Sequence, residues 1–258
     1  MKIFRLMKSD FMKMKRTPFY WIHICLPVAG IMLFLGYYSF SSWDSISKIN
    51  GYLEALSLTF PVLISIVTSM VIDQEVMAGK FKEMFSTEYG KGTCLLSKIL
   101  MLLLSGLISL TLAVGGFFIG FQYILKQNLL SINFYINAIL IVFVAQIFLY
   151  LFHLWLSIKL GSGASIGMGI FESLISALLI TGLGDGIWQW IPCGWSVRFC
   201  DNLFLNNSNI ADGFNKLADI NSIFSNSSGG FMNCIMFTIV FGVFFGIWFE
   251  FFEGRGEK

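Results

Sequence analysis

Charge is the scarcest ingredient of this 258-residue sequence: Asp, Glu, Lys and Arg make up 12% of it, against 56% hydrophobic residues. Soluble globular domains carry about 25% charged residues, so the composition excludes that class and points to an integral membrane protein. The marks of soluble chemistry are missing as well. No G-x-x-x-x-G-K-[ST] loop occurs, and Gly90-Lys91-Gly92-Thr93 lacks its spacing, so nothing in the chain is built to cradle ATP phosphates. The two histidines, His23 and His153, lie on different apolar runs, and there is neither an H-E-x-x-H nor a paired-cysteine zinc spacing. No serine sits in a G-x-S-x-G elbow. The five cysteines form an odd set and no disulfide framework; whether Cys193 and Cys200, which share one segment, form a bond is left open.

What the chain does have is six apolar runs, at 19–40, 55–72, 99–125, 134–158, 160–184 and 231–249, each long enough to cross a hydrocarbon core about 30 Å thick. Between them the polar segments are short, with 41–53 read as a short outer loop, and Gly106, Gly115, Gly116 and Gly120 in the third run and Gly161, Gly163, Gly167 and Gly169 in the fifth suit close helix packing, so the sequence predicts a single all-α membrane domain over 1–258. Residues 1–17 carry six cations against one acid, Asp10, and place Phe4, Met7, Phe11 and Met14 at helical spacing. That pattern predicts an amphipathic helix lying flat on an anionic membrane face, not a nucleic-acid-binding arm. The first run is too long for a secretory signal, and no small-residue cleavage site follows it, so it reads as an uncleaved anchor.

Residues 73–98, DQEVMAGKFKEMFSTEYGKGTCLLSK, form a charged island between the second and third runs. Phe81, Met84 and Phe85 fall at i, i+3 and i+4, one small apolar face of a short helix, while Lys82 points elsewhere. Thirteen of the seventeen Lys and Arg lie on the same side as this island if the N-terminus is cytoplasmic, a strong positive-inside split. Both termini and the island are therefore expected in the cytoplasm, and segment 185–229 outside. That outer segment opens with Trp188, Trp190 and Trp195, broken by Pro192 and Gly194, and predicts short helices in the interface. Within the fifth run Glu172 stands near mid-depth, where an unpaired charge costs at least about 2.5 kcal/mol, so it is expected to face protein or water. It is read two ways: as a contact for a cationic substrate, or as a hydrogen-bonded structural residue.

The island is also where a family resemblance shows. Glu75, Gly79, Thr87, Gly90 and the run Leu95-Leu96-Ser97-Lys98-Ile99 resemble the cytosolic loop of ABC-2 type permeases. The resemblance implies a coupling helix, opened by a glutamate and a glycine, that docks on an ATPase. It also implies re-entrant outer helices between the last two spans. LMKSDFMKMKRTPFYWIH at the start, the DQE of the island, GASIGMGIFESLISALLITGLGDGIWQWIP and GWSVR are similar to lantibiotic-immunity permeases of the LanFEG type, closest to the MutG-like (LanG) subunit. That likeness implies a bacterial cytoplasmic-membrane exporter of antimicrobial peptides. It implies a second six-span, LanE-like permease and a separate ATPase carrying ATP and Mg, with no cofactor or catalysis on this chain. On this reading Glu75, Gly79, Phe81, Lys82, Met84 and Phe85 engage the ATPase, while Glu172, Trp188, Trp190 and Trp195 meet an amphipathic peptide already in the outer leaflet. The competing expectation is a self-sufficient channel or ion-coupled carrier using Glu172 and His153. No visible inverted repeat of interrupted helices supports it.

Overall fold

A computed structural model describes residues 2–79, 81–86, 88–205 and 220–254. Among the described residues every element is helical: α1 (Lys2–Met14), α2 (Phe19–Phe40), α3 (Ser45–Met77), α4 (Lys82–Phe85), α5 (Lys91–Ile119), α6 (Ile132–Leu160), α7 (Ser162–Ile180), α8 (Trp195–Leu205) and α9 (Ile220–Glu250). Three 3-10 turns, Gly182–Gly184, Trp188–Trp190 and Pro192–Gly194, link α7 to α8, and α5 ends in a π turn, Gly120–Ile124. Six helices (α2, α3, α5, α6, α7 and α9) are long and apolar enough to cross a membrane. All-helical architecture is what the bilayer demands, since every backbone N–H and C=O must be satisfied within the chain.

The spans differ from the sequence expectation mainly at their ends. The stretch 41–53, expected as a loop, is mostly the first turns of α3, because Asp44 caps that helix through the backbone N–H groups of Ile46 and Ser47. α7 stops at Ile180 instead of running to 184, and Arg198 caps it: its Nε donates to the Leu179 carbonyl at 2.6 Å and its Nη2 to the Thr181 carbonyl at 2.9 Å and Asp185 Oδ1 at 2.8 Å. Neither Pro27 nor Pro61 interrupts its helix.

With six crossings, the two termini and α4 share one end of the bundle, here the basal end; the tryptophan-rich turns and α8 form the distal end. α3 is the central column, packed on α7 and α6, while α2 lies against α5 and exposes most of its apolar surface, as does α9. α3 and α7 come together at Gly169, where a side chain would strike Ser65 and the Pro61 carbonyl. Gly106, Gly116 and Gly120 make similar room on α5 for Tyr150, Ile31 and Leu35. Gly115, Gly163 and Gly167, expected to share in such packing, face open space.

Candidate functional site

At the basal end the last turn of α3 delivers Glu75 into a buried ion network. Its Oε1 accepts from Lys98 Nζ of α5 at 2.7 Å and from Lys13 Nζ of α1 at 3.0 Å. Lys98 Nζ reaches on to Asp10 Oδ1 of α1 at 2.9 Å, and the Ser97 hydroxyl donates to Asp10 Oδ2 at 2.6 Å. Glu75 is 2% exposed and Lys98 3%, so these charges have left water and depend on one another. The basal half of the site therefore includes Asp10, Lys13, Ser97 and Lys98, which the sequence reading did not assign. The signal for Asp10 was there: it is the single acid in a strongly basic helix.

Segment 79–90 is fixed by backbone geometry as much as by side chains. Gly79 (φ 136°) and Gly90 (φ 80°) bracket it in conformations an L side chain rarely adopts. Phe81 itself takes the left-handed conformation at φ 68°, and its amide donates to the Glu75 carbonyl. The apolar face expected to point at a partner turns inward instead. Phe81 is 2% exposed and Met84 is buried; Phe81 packs edge-on to Phe252, and Phe85 lies tilted against Phe249 of α9 and edge-on to Phe252 just past its end. Lys91 lies over the Phe85 ring and donates to the carbonyls of Glu250 and Phe252. Among the described residues the surface left open is made by Met77, Ala78, Lys82, Ser86, Glu88 and Gly90, with Gly79, Phe85 and Tyr89 half-buried. Thr87 lies outside the described residues.

In the bundle interior the structure brings together the two residues named for the carrier reading. His153 Nε2 lies 2.8 Å from Glu172 Oε2, and His153 Nδ1 lies 3.1 Å from the Ser165 hydroxyl. His153 and Ser165 are completely buried and Glu172 nearly so, and the three form one hydrogen-bonded chain. Glu172 thus ties α6 to α7 through its Oε2. Ser69 and Ser157 extend this polar contact between α3 and α6 toward the basal end.

At the distal end two of the three tryptophans are structural. Trp195 is fully buried, its indole N–H donating to the Gln189 carbonyl, and Trp188 packs on Phe199 and over Gly230. Only Trp190, 59% exposed, is available to a ligand. Cys193 and Cys200 are both free thiols, buried, with burial pushing the first up to about 11 and the second up to about 12. Beside them a cavity of about 430 Å³ lies between α3 and α8, lined by Trp43, Ser47, Asn50, Glu54, Asp201 and Phe204 among others. Asp201 is hydrogen-bonded to Glu54; burial and that neighbouring carboxyl push it up to about 8, with Arg198 pulling the other way. The sequence reading ended its outer loop just before Glu54 and so missed this pair. Of the rest of the expected outer segment, 206–219 lies outside the described residues, and 220–229, expected as loop, forms the first turns of α9.

Six helices long and apolar enough to cross a membrane, polar contacts between helices in the interior and a short folded segment between the second and third spans are the architecture of a multi-pass membrane protein. Residues 6–183, more than half of the chain, match the family model for ABC-2 family transporter protein, and the chain belongs to that family. It is accordingly the permease component of an ABC transporter, and members of this family work with a cytoplasmic ATPase. No curated protein and no solved structure matches the chain.

Proposed function

We propose that this chain is one of two permease subunits in an ATP-driven exporter that clears lantibiotic peptides from the bacterial cytoplasmic membrane, conferring immunity or resistance. ATP and Mg bind on a separate ATPase beneath the basal end, and a second, LanE-like six-span permease completes the path. The observation that supports ATP coupling is how segment 79–90 is anchored. Through Glu75, Lys98 and Asp10 it is tied to α3, α5 and α1, and through Phe81 and Phe85 to α9. A push on its open surface therefore moves four helices together, since packed interiors transmit displacement instead of absorbing it. Phe81 and Met84 serve as the inner half of that lever, and Met77 and Lys82 as its contact face. The peptide assignment is supported by the likeness of the opening, DQE, GASIGMGIFESLISALLITGLGDGIWQWIP and GWSVR stretches to lantibiotic-immunity permeases. Trp190 is the aromatic contact left open to a peptide resting in the outer leaflet.

The test is co-purification with the partner ATPase. Met77→Asp and Lys82→Glu, both on open surface, are expected to abolish co-purification while leaving membrane insertion intact. Undiminished assembly of both variants contradicts the docking surface. Ion-driven transport by the purified chain alone in liposomes would instead establish the carrier reading built on His153 and Glu172.

A further inference from the structure

The sequence pattern suggested that Phe4, Met7, Phe11 and Met14 form one lipid-facing stripe on α1, but the structure divides them. Met14 is buried and Met7 and Phe11 half-buried, packed against the rest of the protein on the face that also carries Asp10 and Lys13. The face left open consists of Phe4, Arg5, Lys8, Met12, Lys15 and Arg16. At about 100° per residue Phe4, Arg5, Lys8 and Met12 fall within one arc of about 100° on α1, and Lys15 and Arg16 follow, exposed, in the turn just past Met14. Phe4 is 69% exposed and Met12 59%. The one acid of the helix, Asp10, points the opposite way, and among the described residues Arg5, Lys8, Lys15 and Arg16 make no ion pair. The arc leads by the short turn at 15–18 into α2, whose first turn carries the exposed Trp21.

We propose that this arc is a binding surface for anionic phospholipid headgroups, and that the lipid seated there holds α1 in place over the basal ion network. Four cations with two large apolar side chains between them match an anionic lipid surface: the headgroups take the charge, and Phe4 and Met12 enter the acyl boundary. A soluble acidic protein would satisfy the cations but leave both apolar side chains in water. Asp10, on the other side of the same helix, accepts from Ser97 and Lys98, and Lys98 holds Glu75. Releasing α1 would remove Asp10 and Lys13 from that network, so the lipid class sets how firmly segment 79–90 is anchored. Lipid binding itself depends on neither the ATPase nor the peptide.

The experiment uses the full-length chain, purified without its partners. Phosphatidylglycerol and phosphatidylcholine are titrated against the chain in neutral detergent, with bound lipid counted by native mass spectrometry and the thermal midpoint followed alongside. Phosphatidylglycerol is expected to bind about tenfold more tightly, to raise the midpoint and to lose its advantage in high salt. The quadruple variant Arg5→Gln, Lys8→Gln, Lys15→Gln, Arg16→Gln is expected to bind the two lipids equally. If that variant fails to fold, Phe4→Ser together with Met12→Ser provides the second measurement, weakening both lipids while keeping the salt dependence. Equal binding of the two lipids by the natural chain, or an unchanged preference in the quadruple variant, overturns the proposal. Loss of lipid preference with no change in midpoint overturns its second half, the link to the ion network.

Discussion

Lys98 is the residue on which the basal end turns. Its ammonium lies between two carboxylates from different helices, all three nearly out of water, so removing it leaves Asp10 unpaired and Glu75 with only the half-exposed Lys13. Breaking a buried ion pair from one side costs about 3–5 kcal/mol, because the orphaned charge keeps its desolvation penalty. Lys98→Met is expected to lose stability of about that size, read as a lower thermal midpoint and a broadened elution profile. Lys82→Met, in α4 and on open surface, is expected to change neither. Asp201 provides a second test at this scale. The folded protein holds its proton up to about pH 8, whereas an unfolded aspartate releases it near pH 3.9. A raised carboxyl contributes fully below the unfolded value, and that contribution drains away as pH climbs through about 8. The thermal midpoint should therefore fall between pH 6 and pH 9, and Asp201→Asn should flatten that fall. A natural-chain midpoint that rises over this range would contradict the shared proton between Asp201 and Glu54.

Helices, taken as elements, were legible where hydropathy alone decides and obscure where neighbours decide. Run 19–40 matches α2 at both ends, because an isolated apolar stretch bounded by polar residues has one way to cross lipid. α3 extends ten residues ahead of its apolar run, and no hydropathy window sees why. The extension is held by the Asp44 cap and by Lys48, whose ammonium donates to the Tyr38 carbonyl and to Gln127. The candidate site shows the same divide. Glu75, Gly79 and Gly90 were visible as a pattern, but the inward turn of Phe81 depends on Phe252, just past α9 and more than 160 residues later in the chain, and Met84 turns toward α1 and α5. That Glu172 meets His153 follows from how α6 and α7 pack, which spacing within either helix cannot reveal. The contact between α3 and α7 rests on Gly169, whose absent side chain lets Ser65 and the Pro61 carbonyl approach. Gly169→Leu is expected to push the two helices apart and cost at least about 2 kcal/mol, as overpacking does. Its measurable sign is faster hydrogen exchange along α7, the His153–Glu172 contact loosening with it. Unchanged exchange would show that the two helices accommodate the side chain.

For the molecule as a whole, the two ends of the bundle have different work. The distal end is built from capped helix ends, buried thiols and buried tryptophans, with Trp190 and the Glu54–Asp201 cavity as its open features. The basal end gathers both termini, the charge network and the short helix α4 between the second and third spans. Such a division suits a permease driven from one side, and membership of the ABC-2 family fits it. The account therefore depends on which side of the membrane the basal end occupies. Met77 is the site to probe, since it is widely exposed at the end of α3, whereas the native Cys94 is buried. With Met77→Cys in cells treated with a membrane-impermeant maleimide, labelling is predicted only after the membrane is opened. Labelling of that cysteine in intact cells would place the coupling segment outside, away from any ATPase, and contradict the mechanism.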